Sequence, residues 1–266
     1  MPSIFQALAE IERNQQAGAL CMVVRSQGST PRHTSSKMIV FPDGQIIGTI
    51  GGGEVERRVI EEAKQAIQDG NPRILTYNMV DPARGDPGVC GGQLEVYVEP
   101  ILPKPMIAVL GAGHVGKALA ALAHWLGFRV AVWDDRADLC NPDNIPDADQ
   151  YLVCPIQELA DKLVFTSQSY LVLTTRGADL DVEGLPRLLD KPAAYIGVIG
   201  SRRRWALTKK KLLEKGVSEE LLQRVTSPIG LELNAETPEE IAVSIMAEII
   251  MLRNGGHGGR MQMNQA

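Results

Sequence analysis

The residues best suited to chemistry lie in a glycine motif and in the segment that follows the next apolar run. Gly111, Gly113 and Gly116 form a Gly-x-Gly-x-x-Gly motif after the run MIAVL and before a helical pattern. Glycines at this spacing let backbone amides approach a pyrophosphate at a helix N-terminus. After the next run, Asp134 could accept the ribose hydroxyls of NAD and repel a 2′-phosphate, a discrimination that Arg136 weakens. The motif therefore predicts a dinucleotide site.

His114 lies inside this glycine turn and has two interpretations. It could contact a phosphate or a substrate, or it could be a partly exposed loop histidine. The glycines also have an alternative role, which is close packing in a nucleotide fold that no longer binds its ligand. Bound NAD(P) is an expectation that the motif alone does not decide.

A second glycine cluster lies nearer the N-terminus. Gly51, Gly52 and Gly53 end an apolar run, and Glu54 and Glu56 follow at the start of a helical pattern. Successive glycines expose amides that can bind an anion, and the glutamates could accept hydrogen bonds from a heterocycle. The alternative is a tight turn whose glutamates complement the helix dipole.

Cys90 lies in the long loop VDPARGDPGVCGG, directly before Gly91 and Gly92. A cysteine between glycines is accessible, so it could be a nucleophile or a soft metal ligand, or simply a small residue packed under a loop. No other cysteine or histidine is close in sequence, so we expect no dedicated metal site. Cys21 and Cys154 lie in apolar runs and are expected to be buried and inert.

Ser201 and Arg202 follow the apolar run YIGVIG. Open α/β sheets bind ligands at the carboxyl ends of their strands, and a serine cap beside an arginine suits a phosphate. The alternative is a solvated basic helix face, since Lys209, Lys210 and Lys211 come shortly after.

The first hundred residues predict a small α+β domain. Ser3 and Gln6 form a capping box that begins a helix, which we expect to end near Gly18. Pro42-Asp43-Gly44 predicts the turn of a hairpin, a helix follows the first glycine cluster, and two further strands come after it. Prolines at 100, 103 and 105 mark the expected linker.

After the linker, strands and helices alternate, which favours a Rossmann-like, doubly wound parallel sheet. A helix begins at Thr237-Pro238 with cap, proline and glutamate in sequence. The predicted organisation is an α/β chain with an α+β domain over 1–103, a Rossmann-like domain over 104–254 and a flexible tail over 255–266.

Composition excludes several classes of protein. The chain has 266 residues, 44% of them hydrophobic, and a net charge of −5. It lacks the basic footprint of nucleic-acid binding, and no apolar run reaches the roughly 18 residues of a membrane span. The start of the sequence has no secretory signal pattern, and its four cysteines form no disulfide framework. We therefore expect a cytoplasmic protein.

Several long blocks together resemble the xanthine dehydrogenase accessory protein family (XdhC/CoxI). The resemblance covers nearly the whole chain. Its blocks are GSTPR (28–32), KMIVF to DG (37–44), GTIGGGEVE (48–56), CGGQLEVYVEP (90–100), VLGAGHVG (109–116), the segment Asp134–Arg136, YIGVIGSRRR (195–204) and SPIGLELNAETPEEIAVSIMAEI (227–249).

This resemblance implies a molybdenum cofactor chaperone without turnover of its own. Such a protein binds the molybdopterin cofactor, supports exchange of an oxo ligand for sulfur, and delivers the cofactor to a molybdenum hydroxylase such as xanthine dehydrogenase. A cysteine desulfurase is the implied second partner, and a homodimer is left open. Amides of Gly51–Gly53 and Gly91–Gly92, with Arg32 and Arg202, would hold the pterin or its phosphate, and Cys90 would lie near the metal.

The chain departs from the family pattern at three positions. Glu54 stands where many relatives have a cysteine, Ser35 where glycine is frequent, and Arg176 where some have histidine. The alternative function is an NAD(P)-dependent oxidoreductase acting on a small substrate. It has the glycine motif and Asp134, but the sequence offers no convincing proton-transfer pair for it.

Overall fold

The computed structural model describes residues 3–28, 34–79 and 91–264. The chain forms two compact units, Met1–Pro103 and Lys104–Ala266. The helices and strands of the first unit are α1 (Ile4–Arg13), β1 (Gly18–Gln27), β2 (Lys37–Val40), β3 (Ile46–Gly48), α2 (Gly53–Asp69), β4 (Arg73–Asn78) and β5 (Gln93–Ile101).

The first unit is an antiparallel sheet covered by helices. The strand order is β3-β2-β1-β5-β4, and β2 and β3 form the hairpin predicted around Pro42-Asp43-Gly44. The buried side of α2 follows helical spacing, while β1 and β5 contribute alternate residues, as their periods of 3.6 and 2 require. The buried core of this unit includes Ala19, Cys21, Val23, Val55, Val59, Ala63, Leu94, Val96 and Val98.

The capping box of α1 is confirmed, but the helix ends earlier than the sequence predicts. The Ser3 hydroxyl accepts from the Gln6 amide, and the Gln6 side chain accepts from the Ser3 amide. Arg13 ends the helix because Gln15 adopts a left-handed φ of 50°, and Gly18 already begins β1. The position of the first glycine was therefore a poor guide to the helix end.

The connection between the units is shorter than the prolines predict. Pro100 lies inside β5 and pairs with Ala19 of β1. The pairing of β4 with β5 stops at Val98, so β5 has one neighbouring strand at Pro100, and such edge positions tolerate proline. Residues 102–105 make the connection.

The second unit alternates strands and helices. Its elements are β6 (Met106–Leu110), α3 (His114–Trp125), β7 (Arg129–Trp133), β8 (Gln150–Leu152), α4 (Leu159–Lys162), β9 (Ser169–Leu173), α5 (Ala178–Leu189), β10 (Tyr195–Val198), α6 (Arg202–Glu214), α7 (Glu219–Leu222), β11 (Val225–Thr226) and α8 (Pro238–Asn254).

All strand pairs of this second sheet are parallel, in the order β11-β10-β9-β6-β7-β8. The five residues of β6 and the five of β9 are all buried, as strands covered on both faces must be. Separate apolar clusters lie on the two faces. The predicted doubly wound fold is confirmed, and its topological switch point lies between β6 and β9, where such folds bind ligands.

The last helix is tied to the sheet by a polar contact. Its capping box at Thr237 and Glu240 is confirmed. The buried Tyr195 of β10 donates to Glu248 Oε2 at 2.5 Å, and the Gly230 amide donates to the same oxygen at 2.8 Å. Among the described residues, no helix has the length and apolar character needed to cross a membrane.

Candidate functional site

The glycine turn after β6 combines two packing glycines with one open position. A Cβ on Gly111 would come 2.5 Å from the Thr174 carbonyl oxygen, and one on Gly116 would come 1.8 Å from the Gly111 carbonyl oxygen. These two glycines let α3 lie close against β6 and β9. A Cβ on Gly113 would meet no atom within 4 Å, so this glycine faces open space.

The helix that starts at this open position has no side-chain cap. Gly113 is the N-cap of α3 and makes no side-chain hydrogen bond there, while His114 is exposed at the first helical position. The first amides of a helix have no partner within the helix, and the helix dipole adds positive potential. The turn can therefore bind an anion such as a phosphate.

Asp134, at the end of β7, is bonded entirely within the protein. Its Oδ2 accepts from the Ala112 amide at 2.8 Å and from Arg136 Nη2 at 3.0 Å. Its Oδ1 accepts from the amide and the Nε of Arg136 at 3.1 and 2.9 Å. Asp134 is 1% exposed. The sequence placed this carboxylate correctly at the glycine turn, but the structure shows it holding the turn and Arg136.

A second ion pair joins the loops on either side of β6. Arg176, after β9, donates from Nη1 and Nη2 to the two oxygens of Asp135 at 2.6 and 2.7 Å. The Arg176 guanidinium lowers the pKa of Asp135 to about 2. Arg136 Nε lies 4.0 Å from Asp135 Oδ1. Two guanidinium groups thus gather at the end of β7, beside the glycine turn.

Sequence reasoning missed a buried polar cluster behind the β9 loop. Arg204 Nη2 donates to Asp181 Oδ2 at 2.6 Å and to Thr175 Oγ1 at 2.9 Å. Burial raises the pKa of Asp181, which is fully inaccessible, against the opposing effect of Thr175 and Arg204. One signal in the sequence could have predicted this cluster: Asp181 lies among the apolar residues of α5. Burying a carboxylate without a partner is costly, so its position implies a buried partner. The cluster attaches α6 to the β9 loop.

Ser201 and Arg202 lie where the sequence predicted. Ser201 is the N-cap of α6, and its hydroxyl accepts from the Arg204 amide at 3.2 Å. Arg202 occupies the first helical position and is exposed. β10 and β9 are neighbouring parallel strands. The Ser201 cap and the Arg176 loop, which follow these strands, therefore lie together at the carboxyl ends of the sheet.

In the first unit, Glu56 occupies the turn that the glycine cluster forms. Its Oε2 accepts from the Thr49 hydroxyl and from the amides of Ile50 and Gly52, the last two at 3.0 and 3.1 Å. Burial alone would raise the pKa of Glu56, but these hydrogen bonds outweigh it and the pKa lies below its ordinary value. The Gly51 amide donates to Thr49 Oγ1 at 3.1 Å. In the folded chain, the Gly51 and Gly52 amides therefore donate to partners within the turn.

Glu54 and Gly91 are also engaged. Hydrogen bonds from Arg57 and Arg58 lower the pKa of Glu54 to about 2, so this carboxylate is an ion-pair partner. The Gly91 amide donates to the Met79 carbonyl at 2.6 Å, and the Gly92 carbonyl accepts from the Met79 amide. A Cβ on Gly53 would meet open space. Arg32 and Cys90 lie outside the described residues.

The described cysteines behave as the sequence predicts for Cys21 and Cys154. Both are buried, as is Cys140, and all three are free thiols. Burial raises the pKa of Cys21 to about 12, so the reactive thiolate is absent at neutral pH. Within residues 3–28, 34–79 and 91–264, no group of His, Cys, Asp and Glu side chains could hold a metal ion.

An apolar groove begins beside the glycine turn. It has a volume of about 630 Å³ and runs between α3 and α8. Its polar side chains are His114, Lys117 and Glu239, and Leu122 and Val243 are among its apolar ones.

The curated proteins that are similar to this chain include the following three. The uncharacterized protein YqeB of Escherichia coli is 39% identical over 97% of this chain and 48% of its own length. A Bacillus subtilis protein named as a probable xanthine dehydrogenase subunit is 35% identical over 59% of this chain and 46% of its own length. The chain thus spans about half the length of these two relatives. PaoD of E. coli, a molybdenum cofactor insertion chaperone, is 21% identical over 94% of this chain and 88% of its own.

A solved structure and two family profiles complete the comparison. A crystal structure described as a xanthine dehydrogenase from Bacillus halodurans shares the fold, with a TM-score of 0.51, 22% identity and coverage of 99% of this chain and 98% of the other. The profile of the XdhC Rossmann domain matches residues 107–249, and that of the XdhC and CoxI family matches residues 11–78. The chain therefore belongs to the XdhC and CoxI family.

Proposed function

We propose that this protein is a molybdenum cofactor-binding accessory protein that supports the maturation of a xanthine dehydrogenase-type molybdenum hydroxylase. The main support for this proposal is that the family profiles match residues in both units of the chain. The chaperone PaoD aligns with 94% of the chain, and a second relative is named for xanthine dehydrogenase.

The glycine turn of the second unit would bind a phosphate of the ligand. The open position at Gly113 and the uncapped start of α3 suit a phosphate, and Ser201 and Arg202 lie at the same edge of the sheet. His114 is exposed at the turn and would contact the ligand. Gly111, Gly116 and Asp134 would shape the turn without touching the ligand, since their atoms are packed or already bonded.

The first unit has a candidate contact of its own with the cofactor, at the start of α2. With the Gly51, Gly52 and Gly91 amides bonded inside the protein, the open side of Gly53 is the better candidate there. Arg32 would bind an anionic group of the pterin, and Cys90 would lie near the metal. Glu54 and Glu56 would fix the turn.

The chemistry of the bound cargo would be supplied from outside. The cofactor carries the molybdenum, and a cysteine desulfurase would provide the sulfur that replaces an oxo ligand. This chain would bind the cofactor, keep water away from it and release it to the hydroxylase. An oxidoreductase remains the alternative because the glycine turn has the strand–turn–helix context of a dinucleotide site.

The test is the ligand that the protein carries. The chain is expressed in cells that make molybdenum cofactor but lack the target hydroxylase, and bound pterin is measured as its fluorescent oxidation product. We expect pterin in the wild-type protein and less in Arg202→Ala. Lys210→Ala removes a cation two turns further along the same helix and should match wild type. Wild-type protein purified without pterin would contradict the proposal.

A further inference from the structure

In a Rossmann site that binds NAD, the carboxylate after the second strand must accept hydrogen bonds from the ribose hydroxyls. Here that position is Asp134, and its two oxygens already accept four hydrogen bonds. A carboxylate has about four lone-pair sites, so no acceptor is left for a ribose diol. The side chain is also 2% exposed. Asp134 therefore has no acceptor to offer for the ribose contact that an NAD site requires.

If Asp134 gave up one of these hydrogen bonds to bind a ribose, the glycine turn would be disturbed. One of its bonds comes from the amide of Ala112, a residue that is 1% exposed. If a ribose hydroxyl replaced this donor, the buried amide would lose its partner, which costs more than a typical hydrogen bond contributes. Asp134 is thus a positioning residue that holds the glycine turn against the end of β7.

Two arginines at the carboxyl ends of β7 and β9 have hydrogen-bond donors that none of the described residues uses. Arg136 uses Nε and Nη2 toward Asp134, and Arg176 uses Nη1 and Nη2 toward Asp135. A guanidinium carries more N–H groups than these bonds consume. The side chains of Arg136 and Arg176 are 41% and 49% exposed, so the remaining donors can reach a ligand. Arginine binds phosphate in a forked geometry with charge-assisted hydrogen bonds.

We propose that the residues at the carboxyl end of β7 select a dinucleotide that carries a phosphate monoester on its ribose. These residues discriminate against a dinucleotide whose ribose has a free diol. Arg136 is the residue that determines this preference, because it both occupies Asp134 and offers donors to the phosphate. The proposal rests on the proposed function in one respect, which is the binding of an anionic ligand at the glycine turn.

The direct test compares NADP⁺ and NAD⁺, which differ only in this phosphate. Calorimetry on the full chain should show NADP⁺ binding at least about tenfold more tightly than NAD⁺, a ratio that one charge-assisted contact can supply. Equal affinities, tighter binding of NAD⁺, or no binding of either would overturn the proposal. Bound pterin decides the proposed cofactor function independently, so the two can fail separately.

Arg136→Ala tests the assigned residue. The change removes the phosphate donors and frees two accepting positions of Asp134, so the preference for NADP⁺ should fall by at least about tenfold and shift toward NAD⁺. Arg187→Ala breaks a comparable arginine–aspartate pair with Asp161 on the α5 surface and should leave the ratio unchanged. A ratio that Arg136→Ala does not alter would refute its role. If that variant does not fold, the wild-type ratio still decides the proposal.

Discussion

Asp134 joins the end of β7 to the glycine turn, so its removal should affect stability before any ligand is present. Asp134→Ala leaves the buried Ala112 amide without its partner and Arg136 without its counter-ion. We expect the free energy of unfolding to fall by about 2 kcal/mol. Urea denaturation measures this change.

Asp138→Ala is the control for this prediction. Asp138 is an exposed aspartate of the same loop, and its removal should change the free energy of unfolding by less than about 0.5 kcal/mol. If both variants were equally stable, Asp134 would not brace the turn.

The cysteines differ in their expected reactivity. Burial raises the pKa of Cys21 to about 12, so at pH 8 this thiol is both protonated and inaccessible. Iodoacetamide should therefore leave Cys21 unmodified in the native protein and label it after unfolding. From its glycine neighbours we predict that Cys90 reacts first.

Peptide mapping by mass spectrometry identifies the labelled residue. Cys90→Ser should remove the fast phase of labelling, retain the fold and lower the amount of bound pterin. Native labelling of Cys21 ahead of Cys90 would be inconsistent with both assignments.

At the scale of elements, the turn between β6 and α3 has glycines with two different roles. Gly111 and Gly116 allow close packing, whereas Gly113 leaves room for a ligand. A Cβ on Gly116 would lie 1.8 Å from the Gly111 carbonyl oxygen, so Gly116→Ala must move α3 away from β6. We expect it to lower the free energy of unfolding by about 1–3 kcal/mol, as overpacking does. Thermal or urea unfolding gives the value.

Gly113→Asp is the matched change at the open position of the same turn. Gly113 has φ −74° in the extended region, where aspartate is a good N-cap, so the variant should fold as well as wild type. Its carboxylate would occupy the space in front of α3 and repel a phosphate, so NADP⁺ binding should be lost. Retained affinity would place the ligand elsewhere.

The loops after β7 and β9 are coupled through Asp135 and Arg176, which predicts a pH dependence. The folded-state pKa of Asp135 is lowered from 3.8 to about 2. The ion pair therefore stabilises the folded state above pH 3.8, and this contribution is lost as the pH falls toward 2. Because both side chains are partly exposed, we expect no more than about 1 kcal/mol.

Asp135→Asn measures this coupling. The variant should be less stable than wild type at pH 7, and the difference should disappear near pH 2. Asp143→Asn, on the exposed surface of the same unit, should show no such pH-dependent difference. A constant difference between wild type and Asp135→Asn at both pH values would contradict the assignment.

At the scale of the whole molecule, the sequence predicted the architecture well. The alternation of apolar runs and turn residues gave both sheets, and the capping residues at Ser3 and Thr237 gave two helix starts. Local signals failed where pairing decided the outcome. Pro100 lies in a strand because β5 continues past the end of β4, which only the register shows.

The candidate site was predicted by position, but its bonding was not. The sequence placed Asp134 and Glu56 next to glycine turns, yet each turn's own amides bond to that carboxylate in the folded chain. The Arg204–Asp181 pair joins residues far apart in sequence. Such partners depend on which loop ends the sheet brings together, so residue types and spacing do not reveal them.

The central claim is that this chain holds molybdenum cofactor for a hydroxylase, and the most direct measurement is transfer. Cofactor-loaded chain is mixed with an apo-hydroxylase of the xanthine dehydrogenase type, and activity is followed against an equal amount of free cofactor in air. The account predicts greater activation by the loaded chain, together with loss of its bound pterin. Activation no greater than that by free cofactor, with the pterin still bound to the chain, would contradict it.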